Sequence, residues 1–507
     1  MKKLLVIFMA FLLVVGISGC NNKTAEEGNS DTVKFSYLRP VWGAATYSKG
    51  GAFEKELFKR ANVEIDLQVV PISDYTAKAN VIIGGGKLPD VIWGQPQYDP
   101  FFNDVIDQGA FLAIDEYLEK YPAIRDAIPE YLWTNLKYSD DKLYFIPNLI
   151  ESKIPFMTFY RKDIFEKLEI PEPTTVEELE IALDKIKASG VTGENGKPII
   201  PFVAPSSYHL KDFATSFDAK FGQWQEDKSD PSKIVPHYMS EQQIAFTFWL
   251  QDLSKKGVFD PEFGLGNDPG MVAGKFTSGN AAVLVENCSA YIEMLSTLKK
   301  NNPDADIGIL PPLVGKDGTQ GGYQPNWPMD RGFYIAKSAK DPDGIFRVLN
   351  WMVTEGHDFM QYGIEGKTYT VLDNGTKKLI PDDDRENDYK SAQIEPFRTL
   401  NSSEDVSFKW GLIEEVFTDS GFVSQFNDYK DKYEKYIATE FGFAKRKPFS
   451  IFETDKELAP RLYEDYMKKY WEGTVLDKSI TKEQWMAALD LWLSSGGNEI
   501  LDEYNSK

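Results

Sequence analysis

The sequence predicts an α/β protein built as two lobes, and three observations carry that reading. The chain has 507 residues, more than one hydrophobic core organises, because single cores stop growing near ~250–300 residues. Its 42% hydrophobic and 26% charged residues belong to a globular protein rather than a disordered or collagenous one. From Thr32 to Trp93, strand-like and helix-like patterns alternate, which is the signature of a parallel sheet covered by helices on both faces.

The elements follow in order. Thr32–Leu38 alternates apolar and polar side chains as a strand, and a turn-rich Arg39–Gly43 leads to a helix over Gly51–Arg60. Glu64–Val70 is a second strand, Tyr75–Gly84 a second helix and Asp90–Trp93 a third strand. The order repeats with a strand over Pro155–Tyr160 and a helix opened by Arg161. Thr175 and Glu178 then form a capping box, since a hydroxyl and a carboxylate three residues apart satisfy each other's free backbone donors. Ile199–Ala204 reads as a strand, Glu241–Lys256 as an amphipathic helix and Ala281–Val285 as a buried strand. Ile307–Leu310 and Gly332–Ala336 are further short strands, and the chain ends in helices at Leu458–Glu472 and Thr481–Ser494.

The N-terminus indicates export. Met1-Lys2-Lys3 is basic, and the apolar run Leu4–Val15 is shorter than the ~20 residues a spanning helix needs. Ile17-Ser18-Gly19-Cys20 matches the lipobox of bacterial lipoproteins. Residues 1–19 are therefore read as a signal peptide, Cys20 as the acylated N-terminus and residues 20–31 as a polar tether. The remaining cysteine, Cys288, lies in an apolar stretch and is expected to be a buried thiol. A formal net charge of −22 with no basic stripe argues against nucleic acid as a partner.

Several strings then occur in a telling order: Leu88-Pro89-Asp90-Val91-Ile92, Asp141–Pro147, Tyr160-Arg161-Lys162-Asp163, Lys256–Phe263, Pro311-Pro312-Leu313 and Tyr362–Tyr369. With the lipobox, they resemble the bacterial extracellular solute-binding proteins of family 1, in the large lipoprotein form that serves carbohydrate ABC importers. The resemblance covers nearly the whole chain. It implies a periplasmic-binding-protein-like fold of two interleaved lobes around a central cleft, with a helical C-terminal region and no catalysis. The first lobe would take residues 32–150 and 329–410, and the second 151–328 and 411–507. Crossings fall near Asn148–Pro155, Asn326–Gly332 and Phe408–Leu412. It further implies a monomer on the outer face of the cytoplasmic membrane, anchored through Cys20, that passes an oligosaccharide to ABC permease subunits. The stretch Thr192–Pro198, where some such proteins hold calcium, lacks alternating acidic ligands, so neither metal nor cofactor is expected.

A sugar offers a C–H face and a rim of hydroxyls, so its site needs flat aromatic rings and planar polar groups. Trp42 and Trp93 follow strand ends, where ligands bind in such sheets; ordinary packing is the alternative for both. Trp224 sits among polar residues in an expected loop. Trp327 and Arg331 lie at a crossing, and Arg331 could fork onto a hydroxyl pair or a uronate, or pair with Asp330. Glu286 and Asn287 end a buried strand, with helix capping as the other role for Asn287. Tyr160 and Arg161 complete the candidates, with a purely structural role as the competing reading.

Two further function classes stay open. A polysaccharide-active enzyme would need paired, partly buried carboxylates, and the acidic run Asp382–Asp388 has no apolar neighbours to bury it. The three histidines, His209, His237 and His357, are scattered, and no nucleophilic Ser/His/acid arrangement emerges from spacing. A binder of peptides or another solute would share the fold and differ only in its cleft.

Overall fold

The alternation after Thr32 forms β1 (Val33–Val41), with Val33, Phe35 and Tyr37 buried and Lys34 in water. The computed structural model describes residues 32–506 except 42–46, 96–100, 129, 149–155, 207, 221–223, 228, 264–268, 325–330, 374, 376, 381, 398–434 and 436–468. Along the chain follow β2 (Val63–Pro71), β3 (Val91–Gly94), β4 (Phe145–Pro147), β5 (Phe156–Arg161) and β6 (Ile200–Val203). After them come β7 (Trp224–Asp227), β8 (Asp230–Pro236), β9 (Ala281–Asn287), β10 (Ile307–Ile309) and β11 (Gly332–Ile335).

Two sheets organise the molecule. The first has the order β2-β1-β3-β11-β4 and the second β10-β5-β9-β6. The expected parallel pairing holds for β1 with β2 and β3 and for β6 with β9. It does not hold for β5 and β11, which run antiparallel to their neighbours. The reason lies in the connections. β4 runs with β3, so the chain leaves the first sheet at its carboxyl edge. It enters the second at the corresponding edge, where Phe156 pairs with Asn287 at the end of β9. β11 does the same on return: its first residue, Gly332, pairs with Gly94 and Pro147, the last residues of β3 and β4. A strand entering at the carboxyl edge must run against the strands that end there.

Two cores correspond to the two sheets. One draws on residues 33–146 and 333–397. Another draws on 156–313 and 475–504, so the C-terminal helices Lys482–Trp492 and Asn498–Asn505 pack into it through Trp485, Trp492 and Tyr504. The alternation of β5 separates the faces: Phe156 and Tyr160 join that core, whereas Met157 and Phe159 face a further cluster with Tyr291 and Leu298. Tyr334 ties β11 into the first sheet by stacking on Phe102 and Phe111, with ring centroids 4.9 and 4.5 Å apart.

Local signals explain the helix ends. Thr175 Oγ1 accepts the Glu178 N–H at 3.1 Å and Glu178 reciprocates, capping Val176–Ser189. Glu241–Lys256 starts at the Ser240 cap and stops where Gly257 turns left-handed, at a φ of 68°. Thr481 caps the next-to-last helix through Gln484. The three expected crossings fall largely on undescribed residues, as does most of Leu458–Glu472.

Candidate functional site

In the second sheet, β6 and β9 are parallel, with the last residue of β6, Val203, opposite Leu284, so the segments that follow them leave at the same edge. β6 delivers Ser206, Tyr208 and His209, and β9 delivers Glu286 and Asn287. Phe156, which opens β5 opposite Asn287, is the scaffold. Its ring meets Tyr208 edge-on at 5.3 Å and lies 4.8 Å from the His209 ring. Tyr208 is 39% exposed, an unusual state for so large a ring beside a core.

Glu286 is 5% exposed. Its Oε1 accepts the Asn287 N–H at 2.7 Å and lies 3.4 Å from His209 Nε2. His209 Nδ1 shares a 2.9 Å hydrogen bond with Ser206 Oγ. Spacing along the chain did not reveal this line of serine, histidine and acid; folding assembles it and fixes the imidazole plane. The second carboxylate oxygen, Oε2, is buried with no hydrogen-bond partner among the described residues. A buried acceptor in that state costs ~1–3 kcal/mol until a donor arrives.

Beneath this edge sit Lys211 and Asp212, both 6% exposed. The Lys211 ammonium lies over the Tyr208 and Phe156 rings, at 5.1 and 5.6 Å. Asp212 accepts the Phe156 N–H at 3.1 Å and the Gln324 N–H at 2.7 Å, so one carboxylate holds the residues bordering two crossings. Burial pushes the Asp212 carboxyl up to about 7, against the opposing pull of Lys211 and those two N–H groups. Thr215 Oγ1 donates to the Gly322 carbonyl and accepts its N–H, tightening the same join.

The other candidates are distributed. Trp42, Trp327 and Cys20 lie outside the described residues. Trp93 is 3% exposed, with its ring edge-on to Tyr75 at 5.2 Å and its carbonyl accepting the Tyr75 hydroxyl. Trp224 opens β7 rather than lying in a loop, and stacks on Tyr504 at 3.8 Å. Tyr160 and Arg161 end β5, which runs against β9, so they sit at the opposite edge from Glu286. There Tyr160 donates to Glu172, and its hydroxyl is raised by burial and that carboxylate. Arg161 forks onto Asp163 at 2.8 and 2.6 Å. Arg331 is half-buried at the first sheet's carboxyl edge, its carbonyl accepting the Asn148 N–H at 2.9 Å.

Sequence reasoning missed Tyr208 and His209, although the rule that selected Glu286 also applied to the residues following Ile199–Ala204. Among the remaining histidines, His237 is buried, and burial pushes its imidazole down to about 3; His357 is exposed. In the acidic run, Asp382 accepts the Ser391 N–H and Glu386 pairs with Lys367 at 2.7 Å. Thr192 and Pro198 pair across a tight loop whose Asn195 N–H donates to Asn280.

The chain is similar in sequence to lipoprotein LipO of Bacillus subtilis strain 168, at 22% identity over 99% of this chain and 97% of that one. Its fold is similar to that of the alginate-binding protein AlgQ2, solved without calcium ion: the TM-score is 0.75 at 16% identity, over 94% of this chain and 98% of the other. It is likewise similar to FusA, an ABC-transporter substrate-binding protein of Streptococcus pneumoniae in complex with kestose, with a TM-score of 0.70 at 16% identity over 93% and 98%. Both are built on the arrangement of two α/β halves that the interleaved cores require. Residues 31–358 match the profile of the bacterial extracellular solute-binding proteins, and the chain belongs to that family.

Proposed function

We propose that this protein captures an oligosaccharide between the carboxyl edges of its two sheets and hands it to the permease subunits of an ABC importer. The observation that carries this reading is the exposed Tyr208 ring, linked through His209 to buried Glu286, whose Oε2 has no donor among the described residues. A sugar fits both, since its C–H face can lie on an exposed ring and its hydroxyl can donate to a carboxylate. The alginate-binding protein AlgQ2 and FusA, solved in complex with kestose, support the carbohydrate class. Arg331 and the candidates at Trp42 and Trp327 would meet the ligand from the first sheet and the crossings.

The lipobox motif ending at Cys20, together with the lipoprotein relative, supports a location on the outer face of the membrane through an acylated thiol. The test is a panel of purified oligosaccharides titrated into the mature chain with thermal unfolding as readout. At least one should raise the melting temperature in proportion to the logarithm of its concentration; no shift with any sugar removes the carbohydrate reading. Replacing Cys20 by Ser should move the protein from the membrane fraction to the medium, and retention at the membrane removes the anchor.

A further inference from the structure

We infer that the edge formed by Glu286, His209 and Tyr208 selects uncharged, hydroxyl-bearing saccharides and rejects uronates, with Glu286 as the specificity-determining residue. This rests on the carbohydrate reading above and sharpens it. Three observations carry it.

The first is the state of the carboxylate. Oε1 is engaged by the Asn287 N–H and faces His209 Nε2, while Oε2 is buried and has no partner among the described residues. What completes it is a donor. A sugar hydroxyl is one; an ionised uronate group offers only acceptors.

The second is charge. A uronate beside Glu286 would place a second negative group against a carboxylate that is 5% exposed, and like charges near a buried group repel more strongly than in bulk solvent. The protein's formal net charge of −22 adds to that field.

The third is that Lys211, Arg161 and Arg39, among the described residues, are already engaged. Lys211 is 6% exposed, sits over two rings and is followed by the buried Asp212. Arg161 is locked onto Asp163 at the far edge. Arg39 donates to the carbonyls of Pro40, Glu395 and Pro396. The uronate members of the pairs below give any remaining cation its chance to bind.

The experiment titrates the mature chain at pH 7 with length-matched pairs: galacto- and galacturono-oligosaccharides, manno- and mannurono-oligosaccharides, gluco- and glucurono-oligosaccharides. Within the pair that binds, the neutral member should bind at least about 100-fold more tightly. Glu286→Gln, which removes the charge and adds a donor, should narrow that ratio at least tenfold. Glu286→Asp, which keeps the charge, should preserve the preference and controls for folding, with melting temperature read for both. A uronate that binds as tightly as its neutral partner, or a ratio unchanged in Glu286→Gln, overturns this inference and leaves the carbohydrate reading standing. Binding by no member of any pair overturns both.

Discussion

The two sheets end at equivalent edges but use them differently. At the first, Trp93 is folded into the core against Tyr75, Arg39 is consumed by backbone carbonyls, and Gly332 lets β11 pass close to β4. At the second, the Tyr208 ring is partly exposed and a buried Glu286 oxygen has no donor among the described residues. The rule that ligands bind at carboxyl edges marks where a site can form. Whether a given residue there recognises anything depends on whether packing has already used it.

Substitutions can break or sharpen this contrast. Trp93→Ala should remove about 3–5 kcal/mol of stability, because it empties a core position; a chemical denaturation midpoint within error of the parent would place Trp93 outside the core's energetics. Gly332→Ala should cost about 1–3 kcal/mol. A Cβ there would collide with the Ile146 carbonyl and the Phe145 ring, so an unchanged melting temperature would show that β11 can shift. Tyr208→Ala should weaken oligosaccharide binding by roughly 10–100-fold, or ~1.4–2.7 kcal/mol, with little change in stability. Equal losses of stability and affinity would make Tyr208 a packing residue like Trp93.

A separate effect is expected from pH. Burial raises the Asp212 carboxyl from 3.8 to about 7, so the folded state holds this proton more tightly than the unfolded one. Its contribution to stability is therefore fully present below pH ~4 and declines as the pH rises toward ~7. Denaturation of the parent and of Asp212→Asn between pH 4 and 8 should differ in slope over this window. Parallel curves would show that Asp212 does not titrate there.

Much of the fold was legible in the sequence because it depends on local patterns. β1 to β3 follow from alternation and the helix Glu241–Lys256 from its cap and terminal Gly257, while Thr175 and Glu178 announced their own hydrogen bonds. The direction of β5 and β11 was not legible, since it is set by where the chain re-enters a sheet. The site was less legible for the same reason. Glu286 and Asn287 were found from one strand's end, but His209 lies 77 residues before Glu286, and only the parallel register of β6 and β9 brings them together. Trp224 drew attention as an isolated aromatic, and its stacking partner Tyr504 comes from the last helix.

The place of β11 has a consequence for how the protein is made. It lies between β3 and β4 and is the strand that pairs with β4, yet it is synthesised after every strand of the second sheet. The N-terminal portion therefore emerges with two unjoined pieces of sheet and waits through the whole intervening segment before they can close. Folding of the first half cannot finish until residues 333–397 are made, so the nascent chain carries exposed strand edges through the synthesis of the whole intervening segment and is at greatest risk of misassembly there.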